Sequence, residues 1–374
     1  MLQDLRFAFR ILRKRPTTTT VALLTLAVGV GAVTVVFSLV EAILLRPLDF
    51  PDAGRMVRLY ATQEVSGGDR LRVTEGAFFD WRRRAGAFDA LVAARNVGLS
   101  VTGAAQPLNP LMRMISEDYF EVLGVTPIAG RTFRREEHRE GVRVAILDFG
   151  FWQSYFGGDP GVVGRSLELN NEPYEIVGVM PAGYRNPAFP DHPVLWLPLV
   201  EAAAPDRRGA TLVVIGRLAR GATRATAREE MDRVSEELAG LYPATDGGRG
   251  ARLLGLRDSL VEGLRPALLA LFGAVGFVLV LAGANVANLL LARAVGRRQE
   301  LGLRLALGAG RGRLARQLLV ESSVLGLGSG VLGLLLAFGA VGPLPGLAPS
   351  NLNVPLLDGV RLDFRVASSP FSRR

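Results

Sequence analysis

The residues suited to chemistry are few, and they are quickly tested. The run REEHREG sets Glu136, Glu137 and Glu140 around His138, a donor set that a divalent metal could use. Its spacing lacks the paired histidines of a helical metal motif, and the only other histidine is His192. A solvated charged loop is the better reading. With two histidines in the chain, a Ser-His-Asp relay would need an unusual coincidence. The absence of cysteine excludes thiolate nucleophiles, thiolate metal sites and disulfides. Gly308, Gly310 and Gly312 suggest a phosphate loop, but no strand precedes them and no G-x-x-x-x-G-K-[ST] occurs. A turn explains them better. What remains is a charge pattern: Glu300 is the one acid among Arg293, Arg297, Arg298, Arg304, Arg311, Arg313 and Arg316. If Gln299–Leu307 is helical, Glu300 and Arg304 lie one turn apart and can pair. No catalysis and no cofactor are expected.

The elements around that pattern say where it sits. Pro266 to Ala292 carries no charge, about 40 Å of helix at roughly 1.5 Å per residue. A second apolar run follows Glu321 to about Val341. Each is long enough to cross a hydrocarbon core, which needs about 20 residues. Arginines between two spans place the connector on the cytoplasmic side. Thr17 to Val40 is a third uncharged run. It is longer than a signal-peptide core and no A-x-A site follows it, so it reads as an uncleaved anchor. Ahead of it, Leu2, Leu5, Phe9 and Leu12 face away from Arg6, Arg10 and Arg13, an amphipathic helix for the inner membrane surface that Pro16 ends. The basic residues before the first span keep the N-terminus inside.

The region from Arg46 to about Glu262 is then outside. Met56–Tyr60, Val142–Leu147, Ser166–Leu169, Tyr174–Met180 and Ala210–Leu218 read as strands. Asn170 to Pro173 makes a plausible hairpin turn. Glu75–Arg84, Glu117–Leu123, Phe149–Phe156 and Thr223–Leu241 read as helices. The last has an apolar stripe of Ala227, Met231, Val234, Leu238 and Leu241. The mixture lacks βαβ regularity and predicts an α+β domain with two lobes. The fold class expected is a membrane protein: three transmembrane α-helices with a large α+β extracytoplasmic domain between the first and second. Its segments are an amphipathic helix at 1–16, spans at 17–45, 264–292 and 317–342, the outer domain at 46–263, the coupling segment at 293–316, and an outer loop at 343–374. Net charge is +9, but the excess clusters beside the spans, where it serves topology and lipid contact, so nucleic acid is not expected. Gly326 and Gly330 form a G-x-x-x-G that lets helices approach closely, or are simply common span glycines. Asn285 and Asn288, near the inner end of the second span, suit hydrogen bonds across a helix interface or contact with the headgroups.

At this point the motifs become specific. RRQELGLRLALGAGRGRLARQLLVES resembles the cytoplasmic segment of FtsX/MacB-type permeases of ABC transporters. ISEDYFEVLGVTPIAGRTF, GFWQSYFGGDPGVVGRSLELNNEPYEIVGVMP and LWLPL resemble the extracytoplasmic domain of the MacB-like group, and the N-terminal LRFAFRILRKRP with its span fits as well. The chain is similar to the duplicated, acidobacterial-type orphan permeases over about residues 1–365. The family has four spans, and LDFRVASS matches where the fourth would begin, so a truncated product is expected. Gly283 stands where the group usually has cysteine.

The resemblance implies a function. Arg297, Arg298, Glu300, Arg304 and Arg311 would couple to a separate cytoplasmic ABC ATPase subunit, and the spans would pass its closure to the outer domain as mechanical movement. Cargo implied by the family is hydrophobic or peptide-like. Other partners implied are a second permease half or a homodimer, membrane lipid, and a periplasmic protein. The setting implied is a bacterial inner membrane. Two alternatives stay open: an ATPase-independent membrane-anchored sensor or scaffold, and a nonfunctional truncated remnant.

Overall fold

A computed structural model describes residues 16–45, 51–64, 67–102, 108–184, 189, 191–296 and 311–341. It separates into two units, residues 1–46 with 261–374, and residues 47–260. The expected N-terminal helix and the outer loop at 343–374 lie outside the described residues, Pro16 excepted. That proline opens helix α1, Pro16–Val40, at a position where its missing N–H has no partner to lose. Thr and Val recur along α1 and are ordinarily poor helix formers. A lipid setting leaves the backbone no other way to satisfy itself. Three hydroxyls fold back on the helix: Thr25 to the Val21 carbonyl (2.7 Å), Thr34 to Val30 (2.8 Å) and Ser38 to Thr34 (2.9 Å).

The second unit follows in chain order: β1 Met56–Gln63, β2 Gly68–Leu71, β3 Val73–Thr74, α2 Glu75–Arg84, β4 Phe88–Val97, β5 Met112–Ile115, α3 Tyr119–Val122, β6 Ala129–Gly130, α4 Arg135–Glu140 and β7 Val144–Leu147. Then come α5 Phe149–Phe156, β8 Ser166–Leu169, β9 Glu172–Val179, β10 Leu195–Pro198, β11 Ala210–Leu218, α6 Arg224–Leu241, α7 Pro243–Asp246 and β12 Arg249–Gly255. The strands form one mixed sheet in the order β12-β1-β11-β4-β5-β10-β7-β9-β6. β5 with β10 and β7 with β9 are parallel; the other pairs are antiparallel. Two cores lie along it. One packs Phe78, Trp81, Met231 and Val234 of α2 and α6 against Val57, Leu59, Leu91 and Val214. The other joins Phe151 of α5 to Met112, Leu147, Leu167, Ile176 and Leu195.

Local chemistry explains the helix ends. The Thr74 side chain accepts the Ala77 N–H at 3.2 Å to cap α2, whose last turn is Arg82, Arg83 and Arg84. Thr223 and Thr226 cap α6 reciprocally. The β8–β9 turn is shorter than expected. Asn170 (φ 50°) and Asn171 (φ 64°) make it alone, the two left-handed residues of a primed hairpin, and Glu172 already belongs to β9. Expected helix 117–123 shrinks to Tyr119–Val122. In α6 the stripe is buried up to Leu238, while Leu241 is 53% exposed because the helix stops there. β4 and β12 were not apparent in the sequence: Asp89 and Arg95 break the pattern of one, and Gly250 and Gly255 that of the other.

After α8, Leu256–Val261, the first unit resumes with α9, Arg265–Gly296, and α10, Arg311–Val341. Among the described residues, three stretches have the length and apolarity to cross a membrane: Thr19–Leu44, Arg265–Leu289 and Leu319–Ala340. With the mixed sheet domain between the first and second, they show the fold class the sequence implied. α1 packs on both α9 and α10. Ala22, Val286 and Leu325 make a small shared core. The backbones approach most tightly at two glycines. A Cβ on Gly333 would lie 2.7 Å from the Ala27 carbonyl oxygen, and one on Gly31 would lie 3.0 Å from that of Gly333.

Candidate functional site

Helices α9 and α10 bracket the basic connector. Arg297, Arg298, Glu300 and Arg304 lie outside the described residues. Arg311 is the first residue of α10, which begins earlier than the expected span and takes Gly312 into its first turn rather than a loop. The interhelical residues separate into two sets. Gly31 and Gly333 meet backbone, and Gly29 and Gly328 lie against the side chains of Leu279 and Leu23; among the described residues Gly326 and Gly330 have open space where a Cβ would stand. Asn285 and Asn288 are exposed on α9. Among the described residues, none of these four sits in a contact between helices.

In the sheet domain the structure gathers charges that the sequence left scattered. Asp80 of α2 is almost fully buried and sits between Arg207 and Arg83, with Arg83 Nη2 at 3.0 Å. Arg207 also reaches Asp246 at 3.1 Å and lies 3.4 Å over the Tyr242 ring. One guanidinium thus ties α2 to α7. Burial alone would push the Asp80 carboxyl up, but hydrogen bonds from Arg207 and Arg83 outweigh it and hold it below the usual aspartate range. Arg113 is 1% exposed, pairs with Asp191 at 2.7 Å, donates from Nε to Asn96 Oδ1 at 3.1 Å, and lies 3.8 Å over Phe189. The sequence hid both groups. Asp80 looks like the polar face of a helix, and Arg113 like the outward residue between Met112 and Met114.

The segment read as a solvated loop is a correction. Residues Arg135–Glu140 form α4, and Glu137 and His138 are each only 6% exposed. Glu137 binds Arg131 (2.6 and 3.0 Å) and the Arg134 N–H (2.7 Å). Burial is thereby offset, and its carboxyl lies below the usual range. His138 Nδ1 lies 3.1 Å from the Leu199 carbonyl oxygen, so a neutral ring donates there. Burial pushes its pKa down. A cavity of about 310 Å³ beside it is walled by Arg82, Arg135, Glu117 and Glu201. Arg82 binds Glu117 at 2.7 Å, and Arg135 binds the same carboxylate. These acids answer arginines, and among the described residues His138 has the Leu199 carbonyl as its hydrogen-bond partner. The arrangement locks helices to the sheet.

Comparison with known proteins places both units. The family model for the MacB-like periplasmic core domain matches residues 19–234, and that for the FtsX-like permease C-terminal region matches residues 272–368. The macrolide export ATP-binding/permease protein MacB of Burkholderia pseudomallei (strain 1710b) is 26% identical over 326 residues, 76% of this chain and 46% of that protein. The protein of the same name in Escherichia coli (strain K12) is 29% identical over 226 residues, 60% of this chain and 34% of that protein. The chain thus spans less than half the length of either relative. Among solved structures, the periplasmic region of MacB from Actinobacillus actinomycetemcomitans is similar at a TM-score of 0.43 and 12% identity, covering 60% of this chain and 97% of that one.

Proposed function

Because the chain belongs to the MacB/FtsX-type ABC permease family, we propose that it is a permease subunit driven by a separate cytoplasmic ATPase. The observation that carries this reading is the match of the FtsX-like region over residues 272–368, which takes in most of α9, the connector and α10 together. In the proposed cycle the connector, with Arg297, Arg298, Glu300, Arg304 and Arg311, docks on the ATPase. Closure of the ATPase then shifts α9 and α10, and α1, packed against both, moves with them. A rigid outer domain converts that shift into displacement of a cargo already outside the cytoplasm. Buried ion pairs such as Asp80 with Arg207 suit this, since the domain must move as a body. The arginine-rich connector and N-terminus set both on the cytoplasmic side. The cargo class is hydrophobic or peptide-like, and a second permease half or second copy completes the transporter.

Co-purification tests the reading. The chain, tagged at its C-terminus and extracted gently from its own membranes, is expected to bring down an ATPase subunit, and the Glu300→Ala, Arg304→Ala variant is expected to lose it. An intact, inserted chain that brings down none would favour an ATPase-independent scaffold.

A further inference from the structure

β12 is an edge strand with an open side. It is antiparallel to β1, with Val57 opposite Gly255 and Gln63 opposite Arg249. One step beyond, in the same register, the Glu64 N–H donates to the Gly248 carbonyl at 3.0 Å. Glu64 and Gly248 are therefore a hydrogen-bonded pair, and in an antiparallel ladder such pairs alternate with unbonded ones. Gly250, Arg252 and Leu254 then turn their backbone groups toward β1. Arg249, Ala251 and Leu253 turn theirs away from it, and among the described residues no other strand pairs with β12. Edges of this kind are usually blunted by proline or a bulge. β12 has no proline, and its register to β1 is unbroken.

A groove of about 830 Å³ runs along that edge. Residues 248 to 254 line it without a gap. Side chains on a strand alternate between faces, so a wall built from every residue is the backbone edge itself. The facing wall is one stripe of α6: Arg228, Asp232, Ser235, Glu236 and Ala239. Arg228 and Asp232 pair with each other at 3.9 Å, and Arg249 donates to the Arg207 carbonyl at 3.0 Å. Glu236 and Glu64 also line the groove, and neither has an ion-pair partner among the described residues. Arg252 lines it too and pairs with Asp69, while Arg249 has no carboxylate partner among the described residues, so the unpaired groups are two carboxylates against one guanidinium.

We propose that this groove binds an extended polypeptide segment of a partner protein, added to β12 as a further strand with a lysine or arginine set against Glu236. Backbone groups of Arg249, Ala251 and Leu253 supply the ladder, and the α6 stripe covers the added strand. The inference does not depend on an ATPase driving the chain.

The test uses the full chain in lipid nanodiscs and a defined probe, a fluorescent nine-residue peptide alternating valine with lysine or threonine. Leu253→Pro removes one groove-facing N–H and no bond to β1, and proline is tolerated at sheet edges. Saturable binding is expected, weakened at least tenfold by Leu253→Pro, with slowed amide exchange confined to residues 249–254. Glu236→Lys should abolish the preference for the lysine peptide over its glutamate counterpart. That second variant keeps the test decisive if Leu253→Pro does not fold, which tryptophan fluorescence would reveal. No saturable binding, or equal binding to wild type and a folded Leu253→Pro, overturns the proposal. So does peptide-free protection of the same amides that grows with protein concentration, which would assign the edge to a second copy.

Discussion

The two units use the same apolar residues in opposite ways. In the sheet domain Phe78, Leu59, Ile146 and Val214 are buried, and the surface is left to charge. In the helical unit Phe277, Val280 and Leu319 point outward, and Leu327 is 73% exposed. Most of what lies inside the helical unit is small, Ala22, Ala27, Ser329, Gly333 and Ala337 among it, beside a few larger side chains such as Val286 and Leu325. The difference teaches which solvent each unit was selected against. Water drives large apolar side chains inward and makes their burial the main source of stability. Lipid gives no such drive, so the helices gain from close backbone approach at small residues instead. Charges divide in the same way. The sheet domain cross-links its elements with arginine pairs, while the membrane stretches of the helices are nearly free of them.

The sharpest way to break this comparison is one change made in both units. Leu327→Asp in α10 should cost about 3–4 kcal/mol of insertion free energy, read as failure of the full chain to integrate into membranes. Leu241→Asp at the exposed end of α6 should change the stability of the sheet domain by no more than about 0.5 kcal/mol. Equal effects at the two sites would mean that the exposed face of α10 does not meet lipid. The readouts separate cleanly, because all three tryptophans, Trp81, Trp152 and Trp196, belong to the sheet domain and report it alone.

Next in size is the buried pair. Asp80→Ala leaves Arg207 with Asp246 only, and breaking a buried pair should cost about 3 kcal/mol, seen as a lower midpoint in tryptophan-monitored urea unfolding. The pH dependence has a definite sign. Asp80 titrates below its ordinary value in the folded domain, so its contribution is complete above that value, near pH 3.8, and is lost as pH falls through the lower folded value. Asp80→Asn should flatten that acid limb. His138 is also lowered, by burial, so the stability its neutral ring brings begins to fall as pH drops below about 6.5. His138→Gln should remove this earlier limb and leave the one due to Asp80.

How far the sequence reveals each unit follows from the same contrast. Span positions depend only on a run of apolar residues, and α2, α5 and β11 carry strong local periodicity with caps such as Thr74 and Asp148. The elements missed are those whose pattern is set by distant partners. β4 holds Arg95 because Glu75, from another element, answers it, and β12 is a strand because β1 pairs with it. Glu137 and His138 looked solvated because charge alone suggests exposure; Arg131, six residues away, and the Leu199 carbonyl, distant in the chain, make their burial tolerable. The G-x-x-x-G was visible as a motif, but a motif does not say which glycine meets which backbone.

Gly333→Leu should separate α1 from α10, since its Cβ alone would overlap the Ala27 carbonyl and Val30. Overpacking of this kind costs about 1–3 kcal/mol, measurable as a lower melting temperature of the helical unit in detergent by circular dichroism.

The smallest effect is expected at Gly326 and Gly330, and it sharpens the comparison most finely. Both glycines belong to the same helix as Gly333, and both have open space where a side chain would go. If small residues in α10 serve contacts within one chain, leucine at these positions should damage the unit as Gly333→Leu does. If they face lipid, leucine should be neutral, because lipid tails and leucine are equally apolar. We expect Gly326→Leu and Gly330→Leu to leave the stability of the monomer unchanged within about 0.5 kcal/mol. The same variants should then be run through cross-linking of tagged and untagged copies in native membranes. A loss of copy-to-copy cross-links there, with the monomer intact, would place the second permease half on the face that carries Gly326 and Gly330. Unchanged cross-links would leave that face to lipid.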